Sequence, residues 1–197
     1  IDKMFLGWNL GLMNRHGIQF EEYPNFENRN IDAHFSAKIS SPPKYSDDKN
    51  ANNPFRTHRA KAKEKVNNLN LKLFSGKSNW KRYITAMKKS KVCISPLGLG
   101  EICFRDFEAI CHGAILIKPD MSHLNTWPDI YKGWETYIPV RWDFEDMEEK
   151  VLDVVNNYSS YKHIAEKALS VLSEGWKNEV FANYFYSLMK EIEKWRY

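Results

Sequence analysis

A chain of 197 residues, 43% hydrophobic and 14% aromatic, has enough apolar surface for one domain of ordinary size, which excludes wholesale disorder. A formal charge of +4 and a pI near 8.8 favour anionic ligands or an acidic membrane surface; with the lysines dispersed and no recognised motif, a nucleic-acid-binding α/β protein is the weaker rival reading. No run approaches the roughly 20 apolar residues that cross a bilayer, and three cysteines without CxxC spacing argue against a disulfide framework or a zinc site and for a reducing, cytoplasmic setting.

The opening text, "IDKMFLGWNLGL", reads as the interior of a longer protein, with a strand over "MFLGWNLGLM". A loop, "EEYPNFENRNID", and a second strand within Ile31 to Ile39 follow. Residues Ser40 to Pro54, rich in Ser, Pro, Asp and Asn, predict a long surface loop. "RTHRAKAKEKVNNL" predicts a helix with Thr57 as N-cap, its lysines forming a solvated face. "LNLKLFSG" alternates as a strand does, and "NWKRYITAMKKS" carries Trp80, Tyr83, Ile84 and Met87 on one helical stripe.

"KVCISP" and "AILIKP" are short, continuously apolar strands, the kind covered on both faces of a parallel sheet. Between them "GEICFRDFEAICHG" predicts a helix closed by Gly113. "ETYIPV" is a further strand, then come a helix capped by Asp143 and two more helices reaching the end of the chain. Strands alternating with helices predict an α/β fold with a doubly wound, Rossmann-like parallel sheet.

Ligands of such sheets bind beyond the carboxyl ends of the strands, and here that place is "SPLGLGE". Gly98 and Gly100 let a ligand approach the backbone, while the following helix would direct its amides and positive dipole end at the same point. A diphosphate suits such a site. The spacing is neither GxGxxG nor a P-loop, since Cys103 stands where a third glycine would be. Glu101, Arg105, Glu108 and His112 recur as one stripe on the predicted helix, either an exposed row of ion pairs or the lining of a cleft. Lys118, Asp120 and His123 follow the next strand at the same rim. Lys118 could neutralise phosphate, and Asp120 and His123 are candidates for contacting a sugar or moving a proton; the bland alternative is a capped turn. Arg56, His58 and Arg59 lie beside the long loop and are weaker phosphate candidates. No DxD follows a strand, since helix capping explains Asp143 and Glu145 better, so no metal site is expected.

"SPLGLGEICFRDFEAICHGAILIKPD" resembles the C-terminal, nucleotide-sugar-binding domain of GT-B glycosyltransferases (group 1, exostosin-like and CAP10-like), whose helix carries Arg-x-x-Glu-Ala-x-x-x-Gly, here Arg105, Glu108, Ala109 and Gly113. "YKGWETYIPVRWDFEDMEEKVLDVV" resembles the downstream pattern of the exostosin-like and CAP10-type members, with Gly133 where proline is frequent, Thr136 where CAP10-type chains have histidine, and Met147 in place of leucine. The resemblance implies a metal-independent transferase without a cofactor, moving a sugar from a nucleotide-diphosphate donor to a glycan, lipid-linked or protein acceptor, at most peripheral to a membrane and not engaging nucleic acid. In that resemblance Glu108 would bind ribose, and Arg105 with the backbone near Gly98 and Gly100 the diphosphate; from their position at the rim, Glu101 and Lys118 are read as further donor-binding residues and Asp120 and His123 as the catalytic candidates. The alternative is a non-catalytic nucleotide- or glycan-binding module. Residues 1–54 would be a linker or remnant of an acceptor-side domain, 55–175 the Rossmann-like domain, and 176–197 a helix packing across the interdomain junction.

Overall fold

The computed structural model describes residues 24–37, 54–98 and 100–194. The strand predicted over "MFLGWNLGLM" and nearly all of the loop from Ser40 to Pro54 lie outside the described residues. The described elements run β1 (Ile31–Phe35), α1 (Pro54–Asn67), β2 (Leu73–Ser75), α2 (Trp80–Lys89), β3 (Ser90–Ile94), α3 (Phe104–Cys111), β4 (Ile115–Pro119), β5 (Ile138–Val140), α4 (Met147–Asn156), α5 (Tyr158–Gly175) and α6 (Asn178–Glu193).

The five strands form one parallel sheet in the order β2-β1-β3-β4-β5. Val92, Cys93 and Ile94 of β3 and Ile115, Leu116 and Ile117 of β4 are all 1% exposed or less. Unbroken apolar runs therefore mark strands buried on both faces, as a doubly wound sheet requires. α2 and α3 cover the face bearing His34, Cys93 and Lys118, with α5 packed against α3 and β4. α1 and α4 pack together on the other face. The chain leaves β1 toward β2 and leaves β3 toward β4, so the winding reverses between β1 and β3. A crevice opens at such a reversal, and the loop bearing Gly98 and Gly100 emerges beside it.

Several boundaries differ from the sequence reading, each for a local reason. α1 begins at Pro54, three residues before Thr57, because proline suits the first helical position. α3 begins at Phe104 rather than near Glu101, since Asp106 reaches back to the Cys103 amide, 3.1 Å away, and sets the cap there. α4 begins at Met147; Asp143 instead accepts from the Arg141 guanidinium and the Glu145 amide. α2 starts where Asn79 accepts from the Arg82 amide, and Gly113, at φ 73°, ends α3 as predicted.

β1 falls in the segment 1–54 read as a linker or remnant, yet it is inserted between β2 and β3, so the sheet unit extends at least to Ile31 on that side. Just before β1, Arg29 donates to the carbonyls of Ser90 and His112 at 2.7 Å each and of Met87 at 3.4 Å, joining the ends of α2 and α3. At the other end of the chain α6 packs on α5, and its Tyr184 stacks on Trp127 with ring centroids 4.3 Å apart. No helix among the described residues is long and apolar enough to cross a membrane.

Candidate functional site

The loop leaving β3 is held by residues nearly forty positions away. His58 of α1 accepts the Leu97 amide at 3.3 Å, and Arg59 donates to the Leu97 carbonyl at 2.7 Å and to the Gly98 carbonyl. The Gly98 amide turns inward to the Gly100 carbonyl, 2.9 Å away. A side chain at Gly98 would put its Cβ 2.7 Å from that of Cys103, so glycine is required here for space. The predicted backbone cradle is therefore largely satisfied from within: the Leu97, Gly98 and Cys103 amides all have protein acceptors. Positive charge at the loop comes from side chains.

Beneath the loop lies a buried polar cluster centred on Asp106. Its carboxylate accepts from Ser95 Oγ at 2.5 Å and Tyr131 Oη at 2.7 Å, and pairs with Lys118 Nζ at 3.1 Å. Both members of the pair have no exposed side-chain surface. Burial alone would raise the pKa of Asp106, but Lys118 and the hydroxyl donors outweigh it and hold the group below its ordinary value. Asp106 thus ties the end of β3, the start of α3, β4 and the segment before β5 into one unit. Lys118, expected at the rim beside phosphate, instead points inward, where an incoming anion would have to displace Asp106.

Arg105, on the neighbouring position, lies part-buried under the loop. Its Nη1 donates to Ser95 Oγ at 3.3 Å and to the Pro96 carbonyl at 3.4 Å, both neutral and both long. No carboxylate among the described residues is within ion-pair distance of it. Its charge is felt across the loop: burial first, and then Arg105, lower the pKa of Arg59. One turn on, Glu108 is 6% exposed and accepts from Tyr83 Oη of α2 at 2.6 Å. Tyr83 in turn meets the ring of His34 edge-on at 4.9 Å, and Phe74 stacks on the same imidazole at 5.0 Å. Beyond an approach to the Tyr83 backbone, neither His34 ring nitrogen has a partner. Desolvation, reinforced by Arg105, pushes its pKa down to about 4.

The predicted stripe is therefore divided. Arg105 and Glu108 face the interior beside the crevice. His112, the C-cap of α3, lies at the opposite end, and its carbonyl binds Arg29. Glu101 precedes the helix and pairs with His123 at 3.0 Å on the exposed rim. Asp120 is on that rim too: its Oδ1 accepts the Ser122 amide at 2.9 Å and Tyr137 Oη at 3.4 Å. Trp142, two residues beyond β5, donates its indole N–H to the Asp120 carbonyl at 3.0 Å, with its ring 5.8 Å from both His58 and His123. A cavity of about 500 Å³ opens at this edge, with Asp120, Val140, Arg141, Trp142, Asp146 and Lys150 in its wall. Among the described residues no group of three His, Cys, Asp or Glu could hold a metal ion.

Sequence reasoning missed three participants. Asp106 was detectable as the carboxylate three positions after an N-cap, had the start of α3 been set at Cys103. Tyr83 read only as part of an apolar stripe, and Trp142 gave no signal of its own. Set against protein-family models and curated proteins, the chain matches none.

Proposed function

We propose that the chain is the donor-binding part of a GT-B glycosyltransferase, transferring a sugar from a nucleotide-diphosphate donor to a glycan, lipid-linked or protein acceptor. One observation carries the reading: the part-buried Arg105 guanidinium, with only two long bonds to neutral oxygens, lies beside a second arginine at a glycine loop next to the reversal of the sheet. Desolvation works against this cation, and nearby Asp106 offsets it only through space, so an anion entering the crevice would supply the direct partner that it lacks.

In this reading Arg105 and Arg59 stabilise the leaving diphosphate without a metal ion, as preorganised charges do where negative charge develops. Glu108, oriented by Tyr83, presents its carboxylate to the ribose hydroxyls. Asp120 and His123 stand on the sugar side, where His123, aligned by Glu101, is suited to proton transfer. Lys118 acts indirectly, by fixing Asp106 and with it the base of the loop.

The test is calorimetric titration with UDP, GDP, ADP and CMP. The parent binds at least one of them; Arg105→Ala and Glu108→Gln each weaken that binding about 10-fold or more, the size expected for a lost charge-assisted hydrogen bond, with unchanged circular dichroism. Variants that bind like the parent would refute the site. Hydrolysis of the matching nucleotide sugar distinguishes a transferase from a non-catalytic binding module, which would bind and never turn over.

A further inference from the structure

The cavity at the carboxyl ends of β4 and β5 is not lined by Arg59, Arg105 or Glu108, and its wall is polar and ordered. Trp142 is 38% exposed, and its indole cannot swing freely because its N–H is tied to the Asp120 carbonyl. The same ring neighbours His58, which holds Leu97 of the glycine loop, so one wall of the cavity is linked to that loop through His58. Asp120 accepts the Ser122 amide and Tyr137 Oη through Oδ1 and is held in addition by the Ser122 side chain, so its carboxylate is oriented at the wall of the cavity.

The charges in the wall can be balanced pair by pair. Arg141 forms a two-point bond with Asp143 at 2.6 and 3.0 Å, and Lys150 pairs with Asp146 at 2.7 Å. Asp120 alone is left, with exposed His123 and Glu101 beyond it. A fixed, partly open aromatic face and one oriented carboxylate in an otherwise neutral wall suit a polyhydroxylated ring. The C–H face of a pyranose lies on the indole, and a pair of vicinal hydroxyls meets the carboxylate. The leftover negative charge disfavours a sugar that itself bears a carboxylate.

We infer that this cavity is the sugar subsite of the donor, that it takes a neutral hexopyranose, and that Trp142 is its platform and Asp120 its hydroxyl-binding group. The inference rests on the donor-binding reading above and adds to it the chemical class of the transferred sugar. Binding of UDP, GDP and ADP is to be compared with that of UDP-glucose, GDP-mannose, ADP-glucose and UDP-glucuronate, in the parent and in Trp142→Ala, Trp142→Phe and Asp120→Asn. For whichever nucleotide binds, Trp142→Ala should weaken the neutral hexose ester about 10-fold while changing the bare diphosphate less than about 2-fold, consistent with one lost stacking contact. Trp142→Phe should recover part of the loss. Asp120→Asn should weaken the hexose ester and narrow the preference over the glucuronate. Unchanged diphosphate binding also shows that each variant is folded. If Trp142→Ala weakens ester and diphosphate equally, or neither, the subsite is refuted while nucleotide binding stands. If the parent binds no nucleoside diphosphate, the donor reading fails and this inference with it.

Discussion

Asp106 and Lys118 illustrate how much can rest on one pair of side chains. Each is fully buried, and each is affordable only because the other neutralises it and the hydroxyls of Ser95 and Tyr131 complete the shell. Asp106→Asn leaves an ammonium in the interior without a counter-charge. Its expected cost is about 3–5 kcal/mol, read as a shift of the urea midpoint. Adding Lys118→Met to that variant should return part of the loss, since the orphaned charge is then gone; a double variant no more stable than the single would show the pair to be replaceable by neither route. Glu108 and Arg105, by contrast, were visible from sequence, because a helix places residues three apart on neighbouring positions. What sequence could not convey was that Lys118 points inward. On a strand with both faces covered, a lysine looks the same whether it snorkels to the rim or meets an aspartate from the preceding helix.

The elements themselves were legible to the extent that local chemistry specifies them. Gly113 ends α3 because its φ of 73° is open to glycine and disfavoured for other residues. The structure adds a second reason: a Cβ there would stand 2.7 Å from the Pro24 side chain and run into Arg29, which ties the ends of α2 and α3 together. Gly113→Ala therefore combines backbone strain with displacement of a buried arginine, and a loss of about 2–4 kcal/mol is expected. Thermal unfolding measures it; a variant within 0.5 kcal/mol of the parent, roughly the ordinary surface range, would mean that Arg29 yields without cost. The start of α3 was misplaced by three residues because glycine, glutamate and isoleucine at 100–102 are compatible with a first helical turn. Only the reach of Asp106 to the Cys103 amide sets the cap.

At the scale of the whole molecule, three histidines from three elements share one electrostatic fate. His34, His58 and His112 are each pushed down to about 4, in every case first by burial and then by a nearby cation: Arg105, Lys118 and Lys88 respectively. Unfolded, each would titrate near 6.5. The folded pKa lies below the unfolded one, so the unfolded chain binds more protons between these values. Stability contributed by neutral imidazole is thus complete above pH 6.5 and is lost as pH falls toward 4. For fully buried His34 the loss across that window is on the order of 3 kcal/mol. Urea unfolding at intervals from pH 7 to 4 should show the decline, and His34→Phe, which keeps the aromatic contacts, should flatten it; equal slopes would mean that His34 is solvated in the folded protein. The sequence by itself determined the alternation of strands and helices, the parallel sheet, the glycine loop and the end of α3, because apolar period, proline and glycine act within a turn or two of their own position. Only the tertiary structure decided that β1 slots between β2 and β3, that His58 and Arg59 hold a loop nearly forty residues on, and that Trp142 meets Asp120. Those contacts follow from strand order and burial, which depend on how distant segments fit together and leave no local mark on the chain.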